Sequence, residues 1–171
     1  MMRLFIALDP TPDFRTALSE LQRRLRIAGV EGRYLQPSNL HLTLAFIGMW
    51  PEDITPLLPV VEEPFPIRLS HIGVFEQAKV LWAGIEPSGT LNILAARVRK
   101  KLEEAEIPFD RQVFKPHITL VRKPTLPYNS ILTELKVPPA IMTVSEVCLY
   151  RSDHEADGMH YTVIGRSGGR K

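Results

Sequence analysis

Residues 3–8, RLFIAL, form an apolar run that stops at Asp9 and Pro10, after which the hydrophobic period changes. In TPDFRTALSELQRRLRIAG, Phe14, Leu18, Leu21 and Leu25 recur every three or four residues, the spacing of one helical face. Thr11 or Asp13 can cap the start, and Gly29 stands where a helix would stop. A strand-like stretch, LHLTLAFIG, follows. The same succession then returns: VLWAGIEP ends at Pro87, SGTLNILAARVRKKLEEAE carries Leu91, Ala95, Val98 and Leu102 at matching places, and KPHITLVRKP follows. Pro87 lies 77 positions after Pro10, and His117 lies 76 after His41, a slip of one residue in the loop. An ordered strand–helix–strand repeat predicts two lobes about a pseudo-twofold axis.

Further strands are expected on both sides of the second copy. FPIRLSHIGVFE leads into AKVLWAGIEP as a hairpin, and PAIMTVSEVCLYRSD with MHYTVIGR reads as another, joined by HEADG. Residues 51–66 are proline-rich and acidic, a connection with a short helix around 54–58, and the tail GRSGGRK is expected to fray. The class is therefore α+β: a single domain over 1–171 with two pseudo-symmetric lobes, each an antiparallel sheet with a packed helix, and a cleft between them. The lobes are built from repeats around 3–48 and 80–124, and a C-terminal hairpin over 140–166 completes a sheet.

Alternation along the two motif strands separates their side chains by chemistry. Leu42 and Leu44 share one face and His41 and Thr43 the other; Ile118 and Leu120 stand opposite His117 and Thr119 in the same way. If equivalent strands meet across the axis, two imidazoles and two hydroxyls enter one cleft. Two histidines supply an acid and a base near neutral pH, as in-line displacement at phosphorus requires from opposite sides. The threonines can donate to non-bridging oxygens as charge builds. No G-x-S-x-G elbow, glycine-rich phosphate loop or acidic pair for magnesium lies near the motifs. The expectation is metal-independent phosphoester chemistry; a zinc site would need further ligands with their own spacing.

A net charge of +2 permits an anionic ligand without arguing for one, so the case rests on where the charges sit. Arg33 precedes the first motif, Lys115 the second, and Arg122 follows it. Strict alternation puts Arg122 on the leucine face unless a bulge turns it into the cleft. Tyr34, Phe46 and Phe114 flank the motifs and can stack on a base or pack in the core. A third H-x-T, HYTV at 160–163, lacks the preceding strand–proline–helix unit and reads as an ordinary strand. His71 and His154 are assigned no chemistry, and Trp82 is read as packing. Cys148 is the one cysteine, which excludes an internal disulfide and suits a reducing cytoplasm. No run approaches the roughly 20 apolar residues of a membrane span, and the N-terminal run is broken too early for a signal peptide.

RLFIALDP, LHLTLAFIG, VLWAGI, FKPHITLVR and HYTVIG together resemble the two-histidine (2H) phosphoesterase superfamily. Within it, the resemblance is to the RNA 2′,3′-cyclic phosphodiesterase group, also called 2′-5′ RNA ligases, over nearly the whole chain. It implies hydrolysis of a 2′,3′-cyclic phosphate to a 2′-phosphomonoester without a cofactor, and reversible joining of tRNA halves through a 2′-5′ linkage. It implies His41 as proton donor to the leaving 3′ oxygen and His117 as the acceptor that activates water. Thr43 and Thr119 would be phosphate-binding partners. The expected partners are RNA ends, cyclic nucleotides or tRNA halves, for a monomer without membrane association. Two rivals stand beside this: a 2H enzyme acting on another small cyclic phosphate or a 2′-5′ oligonucleotide, and a non-catalytic nucleotide- or RNA-binding module.

Overall fold

Pro12, whose missing N–H costs nothing in a first helical turn, opens α1 (Pro12–Ile27) directly after β1 (Met2–Leu8). These elements belong to a computed structural model that describes residues 1–168. Phe14, Leu18, Leu21 and Leu25 are fully buried, each contributing about 1.5–3 kcal/mol of transfer free energy. Gly29, at φ +97°, turns the chain out of the helix into β2 (Glu31–Tyr34) and β3 (Leu42–Trp50). The proline-rich connection carries one 3₁₀ turn at Thr55–Leu57. β4 (Phe65–Phe75) and β5 (Val80–Ile85) form the expected hairpin. α2 (Gly89–Glu104) follows, capped by the Ser88 hydroxyl accepting from the Leu91 amide at 3.1 Å. Then come β6 (Ile118–Thr125), a short α3 (Ile131–Glu134), β7 (Ile141–Val144), β8 (Cys148–Glu155) and β9 (Gly158–Arg166). Among the described residues, no helix is long and apolar enough to cross a membrane.

The strands pair antiparallel in the order β7-β4-β5-β6-β3-β1-β8-β9, with β2 added to β6. The motif strands β3 and β6 therefore lie side by side at the middle, joined at the pair Leu42–Ile118. The helices cover the leucine face crosswise. α2 packs behind β3 and α1 behind β6, so each repeat's helix supports the other repeat's motif strand. The segments after the helices cross as well: β2 pairs with β6, and the Asp110 amide donates to the Phe46 carbonyl at 2.8 Å. The two halves are interlocked.

Two local expectations change. The stretch read as one strand over 139–153 is divided: β7 joins β4 in one half, and β8 pairs with β1 and β9 in the other. The tail is more ordered than its glycines suggest. Gly165 and Arg166 complete β9, and Ser167 is buried, its amide donating to the Val147 carbonyl and its hydroxyl accepting from the Val147 amide, each at 2.8 Å. The rest of the tail, 169–171, lies outside the described residues.

Candidate active site

Both motif strands carry the same irregularity just after the threonine. On β6, Thr119 pairs with Trp82 and Val121 with Leu81, so Leu120 is an extra residue without a partner on β5. Leu120 and Val121 are both buried in the helix-side core, and such a bulge shifts the strand's phase by one. On β3, Thr43 pairs with Ala7 and Ala45 with Ile6, and Leu44 is the extra residue. The consequence differs between the halves: Arg122 is turned onto the open face of β6, and Phe46 occupies the equivalent place on β3. The bulge thus overrides the alternation that would have put Arg122 among the leucines. Its guanidinium reaches the Tyr161 hydroxyl at 3.5 Å.

The two imidazoles are held alike. His41 Nδ1 lies 2.8 Å from the Asn39 carbonyl oxygen and His117 Nδ1 lies 2.7 Å from that of Lys115, in each case two residues back. A carbonyl can only accept, so Nδ1 carries the hydrogen and Nε2 is the atom that can exchange a proton with a ligand. His41 rests against Phe5 at 4.6 Å between ring centroids, Tyr161 at 5.2 Å and Tyr150 at 5.8 Å. His117 meets Phe75 edge-on at 4.9 Å and Trp82 at 6.3 Å. Burial among these rings drives the His41 pKa down to about 4; the Asn39 carbonyl opposes the shift, and the charges of Arg122, His117 and Arg15 add to it. His117 is also lowered, again chiefly by burial. Both imidazoles are neutral near pH 7 in the free protein.

Scaffolding groups fix these positions. Asn39, whose carbonyl orients His41, donates through Nδ2 to the Met159 carbonyl at 2.9 Å and accepts from the Tyr161 amide at 3.3 Å. Arg15 donates to the Leu40 carbonyl at 3.0 Å and pairs with Asp9 at 2.5 Å. In the other half, Trp82 lies over two glycines. A Cβ on Gly73 would stand 2.4 Å from its ring, and one on Gly84 would stand 2.6 Å from the His71 ring and 2.9 Å from Trp82.

The residues expected to surround the motifs separate. Phe46 lies on the open face beside Phe5, with Arg3 at 4.9 Å over its ring. Arg33 is exposed and is the cross-strand partner of Arg122 on β2. Lys115 is exposed, and its carbonyl orients His117. Tyr34 and Phe114 are corrections to the stacking expectation. Tyr34 packs on the helix-side core with its hydroxyl donating to the Val30 carbonyl at 2.6 Å and Arg26 at 4.1 Å over its ring. Phe114 packs on the same core, 5.8 Å from the Arg99 guanidinium. Both rings serve the leucine face, where apolar surface is removed from water, rather than the face of the histidines.

Comparison with known proteins matches residues 6–156 to the model of the 2′-5′ RNA ligase superfamily. The chain belongs to that superfamily. A Thermus thermophilus protein named RNA 2′,3′-cyclic phosphodiesterase is 35% identical, over 95% of this chain and 88% of its own. One of the same name from Archaeoglobus fulgidus is 33% identical over 71% of this chain and 72% of its own. The crystal structure of E. coli LigT complexed with 3′-AMP superposes with a TM-score of 0.78 at 26% identity, covering 96% of both chains.

In this member of the 2′-5′ RNA ligase superfamily, several residues at the site were not singled out in the sequence: Phe5, Arg15, Asn39, Tyr150 and Tyr161. Trp82, read as packing, flanks His117. The only signal for Tyr161 is its place inside HYTV, where alternation sends it and His160 to opposite faces. His160 instead bonds Asp157 at 2.7 Å. Among the described residues, Glu155, Asp157 and His160 form the one gathered set of three groups that could ligate a metal, and it includes neither motif histidine.

Proposed function

We propose that this protein hydrolyses 2′,3′-cyclic phosphodiester ends of RNA, leaving a 2′-phosphomonoester and a free 3′-hydroxyl. The observation that carries the reading is the matched pair of Nδ1–carbonyl hydrogen bonds, which commits both imidazoles to the same tautomer with Nε2 as the working atom. The names of relatives across the chain's length supply the substrate class, and the LigT complex with 3′-AMP supports a nucleotide ligand for this fold.

In the mechanism, His117 Nε2 accepts a proton from water as its oxygen attacks phosphorus opposite the 3′ oxygen. The P–O3′ bond breaks, and His41 Nε2–H gives its proton to the departing O3′. Thr43 and Thr119 donate hydrogen bonds to the non-bridging oxygens, and the Arg122 guanidinium balances their charge. The catalytic pair is neutral in the free protein, so the acid must be charged as substrate binds. The diester's negative charge favours the imidazolium, opposing the effect of burial on His41. Arg33, Lys115 and Phe46 lie outside this reacting set and serve as contacts to the remainder of the nucleotide. The ordinary cellular setting of this reading is the cytoplasm, with the protein acting as a monomer.

The test is incubation with 2′,3′-cyclic AMP in excess EDTA followed by product assignment. The reading expects the 2′-phosphate; a 3′-phosphate, or turnover only with added metal, overturns it.

A further inference from the structure

Gln22 is a polar side chain in the middle of the buried stripe of α1, only 3% exposed, between Leu21 and Leu25. A buried amide needs partners. Its Nε2 donates to two backbone carbonyls, Leu35 at 2.9 Å and Leu120 at 3.0 Å. Leu120 is the unpaired bulge residue of β6, and its carbonyl also accepts from the Leu35 amide at 3.0 Å. The bulge that turns Arg122 toward the histidines is thus tied at its carbonyl to the helix of the other repeat.

The other half repeats the device with a different residue. Arg99 stands on α2, 77 positions after Gln22, and its Nε donates to the Leu44 carbonyl at 3.2 Å. Leu44 is the bulge residue of β3, and Arg99 also donates to the Gln112 carbonyl at 2.7 Å. Two helices crossing to the opposite motif strands, each with a donor on the bulge carbonyl, are not demanded by core packing, since Gln22 is a polar group within an apolar stripe and Arg99 is only half-buried.

The geometry points to Gln22 as a positioning residue: it acts through the Leu120 bulge to hold Arg122 over the reacting phosphate, so α1 of the first repeat sets the charge placement on the motif strand of the second. This rests on the phosphate-binding role of Arg122 given above. Without the amide, the Leu35 carbonyl loses its Gln22 donor and Leu120 keeps one of two, so the bulge can relax toward regular pairing. Relaxation would return Arg122 to the leucine phase or splay it from Tyr161.

The experiment compares Gln22→Met, Arg122→Ala and the double variant with wild type, reading kcat/KM for 2′,3′-cyclic AMP and the NMR titration of His41. Gln22→Met should lower kcat/KM about tenfold, the size expected when one charged hydrogen bond is displaced. In the Arg122→Ala background it should add little, because both changes remove one interaction. The His41 titration should move upward in Gln22→Met as in Arg122→Ala, since both withdraw a positive charge from the ring. Multiplicative losses in the double variant, or an unmoved titration, overturn the proposal. Should the methionine variant fail to fold, Gln22→Asn, one methylene too short to span both carbonyls, gives the same two readouts. The titration does not depend on turnover: if Arg122→Ala keeps full activity, the role of Arg122 falls while the link from Gln22 to Arg122 is still judged.

Discussion

Leu42 and Ile118 face each other in the registered pair that joins the two motif strands. Continued by one residue to either side, that antiparallel register would set His41 beside Thr119 and Thr43 beside His117. In the proposed site the histidines would then stand diagonally across the seam, each next to the other repeat's hydroxyl. In the proposed mechanism the phosphate lies between them, with an imidazole on either side and a hydroxyl from either strand.

Replacement of either imidazole should stop turnover without unfolding the chain. His41→Ala and His117→Ala should each lower kcat by roughly 10²–10⁴, the range for a positioned acid or base. Circular dichroism and a thermal melt check that the fold persists. Loss in one variant alone would argue for a single working histidine.

The threonines are expected to act on charge rather than on packing. Thr43→Val and Thr119→Val keep shape and remove the donor, and each should cost roughly 10² in kcat. Steady-state kinetics on the cyclic nucleotide decide it, and an unchanged kcat would remove the hydroxyls from the mechanism.

Stability should fall between neutral and mildly acid pH because of the same burial that lowers His41. Its folded pKa of about 4 lies below its ordinary value of 6.5, so between these the unfolded state binds more protons. This contribution is complete above 6.5 and is lost as pH falls through that window toward 4. His117, lowered in the same sense, adds to the slope. Urea unfolding at pH 7 and pH 5 should show the loss, and His41→Gln should flatten it.

Gly73→Ala should disturb the His117 side through Trp82, whose ring occupies the space a Cβ would need. The expected cost is about 1–3 kcal/mol for overpacking, with reduced turnover. Trp82→Leu in the same chain should recover the stability, measured by denaturant unfolding. A stable, fully active Gly73→Ala would show that the ring yields freely.

The repeat, both helical faces and the polar faces of the motif strands were legible because each depends on local periodicity. Phe14 and Leu91 mark their helices, and His41 and His117 their strands, without tertiary information. Arg122 shows the limit. Its orientation turns on one unpaired residue, Leu120, and a bulge leaves no mark where Leu120 and Val121 are both apolar. Tyr34 and Phe114 were ambiguous for a related reason: an aromatic near a motif can face either side, and the crossed helices decide which. Asn39 adjoins His41 along the chain, but Tyr161 becomes a neighbour of the site only through the long-range contacts of β9 with the loop before β3. Gln22 did leave a signal, a polar residue inside an apolar helical stripe, but its partner 98 positions away was not readable.

The most direct test is a crystal structure of the protein with a bound 2′-nucleotide. The account predicts His41 Nε2 and His117 Nε2 each within about 2.6–3.2 Å of oxygens on the same phosphate, with both threonine hydroxyls on its remaining oxygens. A phosphate held by one imidazole alone, or seated away from both, would contradict it.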